Sequence, residues 1–386
     1  MTRLRIVLIQ KRPHPNSLGV VKALKNRGHD VTMIVHSADS LVDDWGIEIR
    51  VVPYIAWDVF RRLKNPNSWA IPNPITLWSE LYRIAPHVVV LKKLRMPNRM
   101  AALMAKMVGA RLVALTNERI ALERRSKAVR PLARALDPRR QIYTAGDGLI
   151  GSTDRSHCSL RVLLPYPVDA VKPSALPSPS NDVGDSHNKT RILMIASMGS
   201  TRKRHEWLTL AVAEAGLERE VEITYVGTGG YDSAQAQAVR MLERELGLPQ
   251  SLMRFNVPHK EVMESYAGYD LLAMPAKNEP FGAVVAEALA HGVPVICSSS
   301  CGARSCLIDG VNGMVFRSES FRDFQAKLSY LVRNNSVRAD MGQQARVLAD
   351  QYLSVGGWGR EFDRVLVSKV PVVEGVNWSG AKKGEE

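Results

Sequence analysis

The chain is expected to be an α/β protein of two Rossmann-like, doubly wound domains, and three observations lead there. Its 386 residues suffice for two domains, each with a core of its own. Short apolar runs of strand length alternate with helical runs, once from the N-terminus and again from residue 191. Between the two alternations lies SALPSPSNDVGDSHNKT (174–190), whose Ser, Pro, Asn and Asp mark a linker. The expected layout is a domain over 1–173, the linker, a second domain over 191–350, and a terminal helix with a polar tail over 351–386.

LRIVLIQ (4–10) reads as the first strand, and Ser17 as the cap of a helix that ends at Gly28. HDVTMIV (29–35) follows, so a βαβ unit opens the chain. PHVVVLKK (86–93), ARLVALTN (110–117) and DGLIGST (147–153) continue the alternation. The second half starts with RILMIAS (191–197), the helix HEWLTLAVAEAG (205–216) and the strand VEITYVGTGG (221–230). A helix over 233–246, a strand LMRFNV (252–257) and a helix KEVMESYAGY (260–269) come next. One long helix is expected from FRDFQAKLSYLVRN onward to VLVSKV.

Hydrophobic residues make up 45% and charged residues 23%, ordinary values for a soluble globular protein. No uncharged apolar run reaches the roughly 18 residues of a membrane span. MTRLRIVLIQKRPH carries only IVLI between charges, too little for a signal-peptide core. Cys297, Cys301 and Cys306 have neither metal-pair spacing nor a following histidine pair, so reduced thiols of a cytoplasmic protein are expected. The net charge of +14 is uneven. Residues 1–172 hold 29 Lys/Arg against 13 Asp/Glu, and the remainder 23 against 25. A basic first half points to an anionic partner.

The most informative segment is 278–313. YDLLAMPA (269–276) reads as a buried strand, NEPFG as a loop, AVVAEALA as a helix and HGVPVICSS (291–299) as a loop and strand. Glu279 then lies on the loop at a strand's carboxyl end, and Glu287, eight positions later, inside the helix. Open parallel sheets bind ligands at that edge, where the free N–H groups of a helix N-terminus favour an anion. Gly282 and Pro280 stand where backbone must approach a ligand closely. A sugar diphosphate on those amides, between carboxylates that accept from sugar and ribose hydroxyls, fits the pattern.

With GTGG (227–230), PHKEVMESYAGYDLLAMPA (258–276), NEPFGAVVAEALAHGVPVI (278–296) and DGVNGMVF (309–316) in this order, the C-terminal half resembles glycosyltransferase family 4. Those enzymes retain configuration, use nucleotide sugars and have the GT-B fold, two Rossmann-like domains facing across a cleft. Residues 190–320 carry the resemblance strongly. The first half carries it only through the opening unit with RGHDV (27–31) and through LPYPVD (164–169). The resemblance implies that Glu279 contacts the donor sugar and Glu287 the ribose. The N–H groups of Phe281, Gly282 and Ala283 would hold the diphosphate or sugar, and Gly227 and Gly229 the turn where nucleotide meets backbone. Lys203 matches the family's basic residue before the first helix of the second domain, with Arg202 and Arg204 beside it. A cation there stabilises charge developing on the departing diphosphate. No D-x-D pair is present for Mg²⁺ beside a diphosphate, so neither a metal nor a resident cofactor is expected.

Departures from the family concern mostly the acceptor side. The family's arginine upstream of the lysine falls near Ser197 or Met198, which leaves Arg202 to substitute. The N-domain loop RPHPNSLG offers Asn16 and Gly19 in place of two adjacent glycines, and Asn117 or Glu118 stands where a histidine is common. Ser305 replaces a frequent glutamate, and Asn256–Val257 a glycine near the base.

The function implied is transfer of a sugar from a UDP-, GDP- or ADP-linked donor to a hydroxyl of a glycan or lipid-linked acceptor. Two rivals stay open: a non-catalytic protein that binds nucleotide sugar or glycan, and a sugar-nucleotide epimerase on the same scaffold. Basic stretches with interleaved aromatics, WDVFRRLKNPNSWAIPNPITLWSEL (57–81) and NERIALERRSKAVRPLARALDPRRQ (117–141), suit an anionic leaflet. Peripheral attachment to the inner face of the cytoplasmic membrane is therefore expected. No nucleic-acid-binding motif is present, and no nucleic-acid partner is expected.

Overall fold

The structure, a computed structural model, describes residues 2–13, 15–37, 46–55, 71–92, 96–116, 140–144, 153–154, 160–170 and 189–368. The chain divides into two units. Unit 1 comprises Met1–Pro167 with Val355–Glu386, and unit 2 comprises Val168–Ser354.

Unit 1 opens with β1 (Arg5–Gln10), α1 (Pro15–Asn26), β2 (Asp30–Val35) and β3 (Glu48–Val51). A small antiparallel pair, β4 (Tyr54–Ile55) and β5 (Ile71–Pro72), precedes α2 (Pro74–Ile84). Then come β6 (Val88–Lys92), α3 (Met96–Met107), β7 (Arg111–Thr116), β8 (Arg140–Tyr143), β9 (Thr153–Asp154) and β10 (Leu160–Leu163). The sheet order is β3-β2-β1-β6-β7-β8-β10-β9, parallel except for β9. Its strands β1, β6 and β7 are largely apolar runs because helices cover both faces. Val7, Ile9, Ile34, Val89 and Leu91 pack against Leu77 and Leu81 of α2. Asn73 starts α2 by accepting the N–H groups of Ile75 and Thr76, with Pro74 at the first helical position.

Unit 2 runs β11 (Thr190–Ile195), α4 (His205–Glu214), β12 (Val221–Gly227), α5 (Ala234–Glu245), β13 (Leu252–Phe255) and α6 (His259–Ser265). It continues with β14 (Leu271–Met274), α7 (Ala283–Ala290), β15 (Val295–Ser298), β16 (Gly313–Phe316), α8 (Phe321–Arg333) and α9 (Asn335–Leu348). All six strands are parallel, in the order β13-β12-β11-β14-β15-β16. Both sheets reverse the direction of strand succession beside their first strand, between β1 and β6 and between β11 and β14. That reversal opens a crevice at the carboxyl ends, where doubly wound sheets bind ligands.

Three expectations are corrected. Ser17 does not cap α1: the helix starts at Pro15, and the Ser17 hydroxyl donates to Gln10 Oε1 at 2.8 Å. The final helix is not continuous. It breaks at Asn334, again through a π-helical turn at Ala349–Leu353, and resumes as α10 (Val355–Val367). That last helix returns to unit 1, because its buried face (Trp358, Phe362, Val365, Leu366) finds its cover against α1. Asp363 takes Arg27 at 2.6 Å and His29 at 2.9 Å, and a Cβ on Gly359 would crowd Arg27 and Ala23 O. Thirdly, Arg140 and Gln141, placed with the basic stretch, belong to β8. Residues 117–139, most of the linker and the polar tail lie outside the described residues, as do 147–152 of the expected strand 147–153.

Candidate functional site

The crevice of unit 2 is built from two loops. One follows β11 and reaches a turn of 3-10 helix, Thr201–Lys203; the other follows β14 and runs to the start of α7. The loops are stitched where Lys277 N donates to Arg202 O at 2.8 Å. Lys203 Nζ donates to Glu279 Oε2 at 2.6 Å, and an Arg202 guanidinium nitrogen reaches the same oxygen at 3.0 Å. Arg202 also donates to Asn278 O at 2.9 Å. The Lys203 and Glu279 side chains are 14% and 12% exposed, so this pair is partly withdrawn from water, whereas Arg202 is 40% exposed. Residues far apart in sequence thus converge on one oxygen at the switch point. Arg204 turns away. It bonds Ser318 O and Glu319 and lies over the Trp207 ring.

The second loop is shaped by backbone that few residues adopt. Asn278 has φ 51° and Gly282 φ 83°. Asparagine tolerates that region through its short polar side chain, and glycine through lack of a Cβ. A Cβ at Gly282 would lie 2.7 Å from Cys301 Sγ. The loop rests on the segment after β15: Gly302 N donates to Glu279 O at 2.9 Å and Ala303 N to Phe281 O at 2.6 Å. Phe281 is buried beneath. Ala283 begins α7, so its first-turn N–H groups are those an α-helix cannot satisfy internally.

Glu287 sits in α7, half a helix beyond. Its Oε2 accepts from the buried Tyr266 hydroxyl at 2.9 Å, and its Oε1 lies 3.3 Å from His259 Nε2. Burial pushes the Tyr266 hydroxyl pKa well up, with the Glu287 charge adding to the shift. His291 stacks on Tyr266 and bonds Glu287 O through Nδ1. Sequence reasoning missed Tyr266 and His259, although YAGYD and PHK lie inside segments it had singled out.

The two glycines of GTGG do different things. A Cβ on Gly227 would overlap Ala196 O, so this glycine admits the neighbouring backbone. Gly229 has φ 127°, and Asn256 clamps it, bonding Gly229 N at 3.3 Å and Gly229 O at 2.9 Å. Ser305 turns inward to Gly302 O. His205, at the start of α4 beneath the cationic loop, is fully buried. Burial holds its pKa down at about 4, and the Lys203 charge adds to the depression.

The first-half candidates lie elsewhere, in unit 1. Gly19 packs α1 against the segment after β10, where a Cβ would overlap Pro167 O. Asn16 lies in the first turn of α1, and Asn117 lies outside the described residues. At the unit 1 switch point Lys92 donates to Ser17 Oγ at 2.9 Å and sits 5.1 Å from the Tyr166 ring centroid. A cavity of about 540 Å³ opens at the opposite, amino edge of this sheet, among Arg3, Arg5, Lys25 and Arg50. Arg5 there caps the end of α2 through Ile84 O and Ala85 O, and Lys25 bonds Gly46 O, so these cations serve the fold.

Residues 180–348, within unit 2, match the protein family described as Glycosyl transferases group 1. The D-inositol 3-phosphate glycosyltransferase of Corynebacterium aurimucosum is 30% identical over 146 residues, covering 37% of this chain and 34% of that protein. The protein of the same name from Corynebacterium jeikeium is 28% identical over 207 residues, covering 51% of this chain and 49% of its own length. The chain thus spans from 30% to 49% of the length of the curated relatives it matches here. Among solved structures, Anabaena Alr3699/HepE in complex with UDP superposes with a TM-score of 0.70 at 15% identity, over 95% of this chain and 99% of that one. WaaG, a glycosyltransferase involved in lipopolysaccharide biosynthesis, gives a TM-score of 0.53 at 17% identity, over 94% and 100%. The chain therefore has the GT-B type of fold, and the similarity to group 1 glycosyl transferases lies in its second unit.

Proposed function

We propose that the protein is a retaining glycosyltransferase that moves a sugar from a nucleotide-sugar donor to a hydroxyl of a glycan or lipid-linked acceptor. One observation carries the proposal: Lys203 and Arg202 meet Glu279 at the switch point of unit 2. The donor's diphosphate lies on the cations and the first turn of α7. Glu287 accepts from the ribose hydroxyls, and Glu279 from those of the sugar. As the glycosidic bond breaks, charge builds on the leaving phosphate, and fixed cations stabilise it more in the transition state than before. Lysine and arginine supply the positive charge this step needs, so the reaction as proposed requires no metal. The acceptor hydroxyl attacks on the face the diphosphate leaves, and the phosphate takes its proton.

Relatives named D-inositol 3-phosphate glycosyltransferase and a structural neighbour solved with UDP support the reaction class. Turnover of UDP-, GDP- and ADP-sugars by the purified protein tests it. Lys203→Ala and Glu279→Ala should each lower the rate tenfold or more, about 1.4 kcal/mol of barrier. Unchanged rates in both would remove the site assignment, and a rate abolished by EDTA would remove metal independence.

We also propose that the basic first half rests on an anionic leaflet, each exposed cation adding about 1 kcal/mol. Among the described residues no helix is long and apolar enough to cross a membrane. Sedimentation with anionic vesicles, weakened by salt, is the expected result. Equal binding to neutral vesicles speaks against it.

A further inference from the structure

Both cations of the candidate site bond one oxygen, Glu279 Oε2, at 2.6 and 3.0 Å. The backbone holds Arg202 on its side of this contact, through its guanidinium to Asn278 O and through Lys277 N to Arg202 O. Glu279 itself is tied less firmly, because among the described residues no cation bonds its second oxygen and the contact is not the two-point fork that makes carboxylate pairs strong. A diphosphate seated on Lys203 and Arg202 would meet this carboxylate at the same place. Two anions at hydrogen-bonding distance from the same nitrogens repel each other in a crevice partly withdrawn from water.

We propose that Glu279 is a displaceable latch: its carboxylate holds the anion seat of Lys203 and Arg202 until a donor's diphosphate takes it. This rests on the reading of the crevice as a nucleotide-sugar site. Once displaced, the carboxylate is free to turn to the hydroxyls of the donor sugar. One residue then serves in sequence as a stand-in for the diphosphate and as a contact to the sugar. A nucleoside diphosphate without sugar has to open the latch but gains no sugar contact in return. Its apparent affinity is therefore reduced by the fraction of molecules whose seat is open. An intact donor recovers part of that loss, which favours the sugar-bearing ligand over the spent one.

Titration calorimetry with UDP, GDP and ADP on the intact chain tests the latch. For whichever diphosphate binds, Glu279→Gln should bind it three- to tenfold more tightly than the unaltered protein. Glu279→Asp, which keeps the charge but draws it back by one methylene, should gain at least twofold. A gain in the Gln variant alone would show a general charge effect and overturn the latch. Equal or weaker binding by both variants, with unchanged melting temperatures, would overturn it too while leaving the site assignment standing. Failure of the assignment looks different: none of the three diphosphates binds, or Lys203→Met binds as tightly as the unaltered protein.

Discussion

The two units share a topology and differ at the one place where topology predicts a ligand. At the switch point of unit 2, two loops bring an ammonium and a guanidinium onto one carboxylate oxygen, with a second carboxylate in the adjoining helix. At the switch point of unit 1, a largely neutral relay runs from buried Gln10 through buried Ser17 to the ammonium of Lys92. The same strand order thus frames two kinds of chemistry. Charged groups held by loop backbone suit a diphosphate whose position must not vary. A hydroxyl and an amide reaching one lysine suit a less demanding contact. The difference teaches that the sheet fixes where binding occurs, and the loop residues fix what is bound.

The comparison can be broken at the level of folding first. Trp358→Ala in α10 should cost about 3–5 kcal/mol, the usual loss for a buried indole. Because α10 packs on α1, hydrogen exchange should quicken in β1, β2 and α1 and stay unchanged in β11 to β15. Equal quickening in unit 2 would contradict the assignment of this helix to unit 1.

A pH titration sharpens it next. Burial lowers the pKa of His36 in unit 1 and of His205 and His291 in unit 2, and His205 is held at about 4. A depressed pKa means that the unfolded chain binds the extra proton first as pH falls. Unit 2 should hold its full contribution above about 6.5 and lose on the order of 3 kcal/mol as pH falls to about 4. His205→Gln should flatten that slope in denaturant melts of unit 2. An unchanged slope would acquit His205.

Gly282→Val comes third. The positive φ and the nearby Cys301 sulfur make about 1–3 kcal/mol of strain the expectation, felt at the loop itself. Diphosphate affinity should fall while unit 1 keeps its stability. The smallest effect concerns Lys92. If the units divide the work, Lys92→Met should leave diphosphate affinity within about twofold by calorimetry, a change under 0.5 kcal/mol. A tenfold loss would show that unit 1 also holds the diphosphate.

Much of unit 2 was legible in its residues. Apolar runs of strand length, separated by helical runs and by Gly-containing turns, dictate parallel βα units, since each covered strand must be apolar on both faces. The NEPFG segment announced its loop because Asn and Gly are the residues that accept a left-handed backbone, and both do so at 278 and 282. Less was legible in unit 1. β8 carries Arg140 and Gln141, whose polar side chains hide a strand inside a basic stretch, although Arg140 bonds Val365 O and Ser368 O of the returning C-terminal segment. No local pattern reveals that return, because a helix's apolar face states that it must be covered and not by what.

By itself the sequence determined the two parallel α/β alternations, the loop that carries Glu279 and the helix that carries Glu287. Hydrophobic period and turn chemistry are local properties, readable within a window of some ten to twenty residues. Only the tertiary structure decided that Lys203 and Arg202 share a single Glu279 oxygen, that Tyr266 holds Glu287, and that α10 closes the first unit. Those pairings join residues from distant parts of the chain. The order of strands in the sheets sets their distances, and no window along the chain contains it.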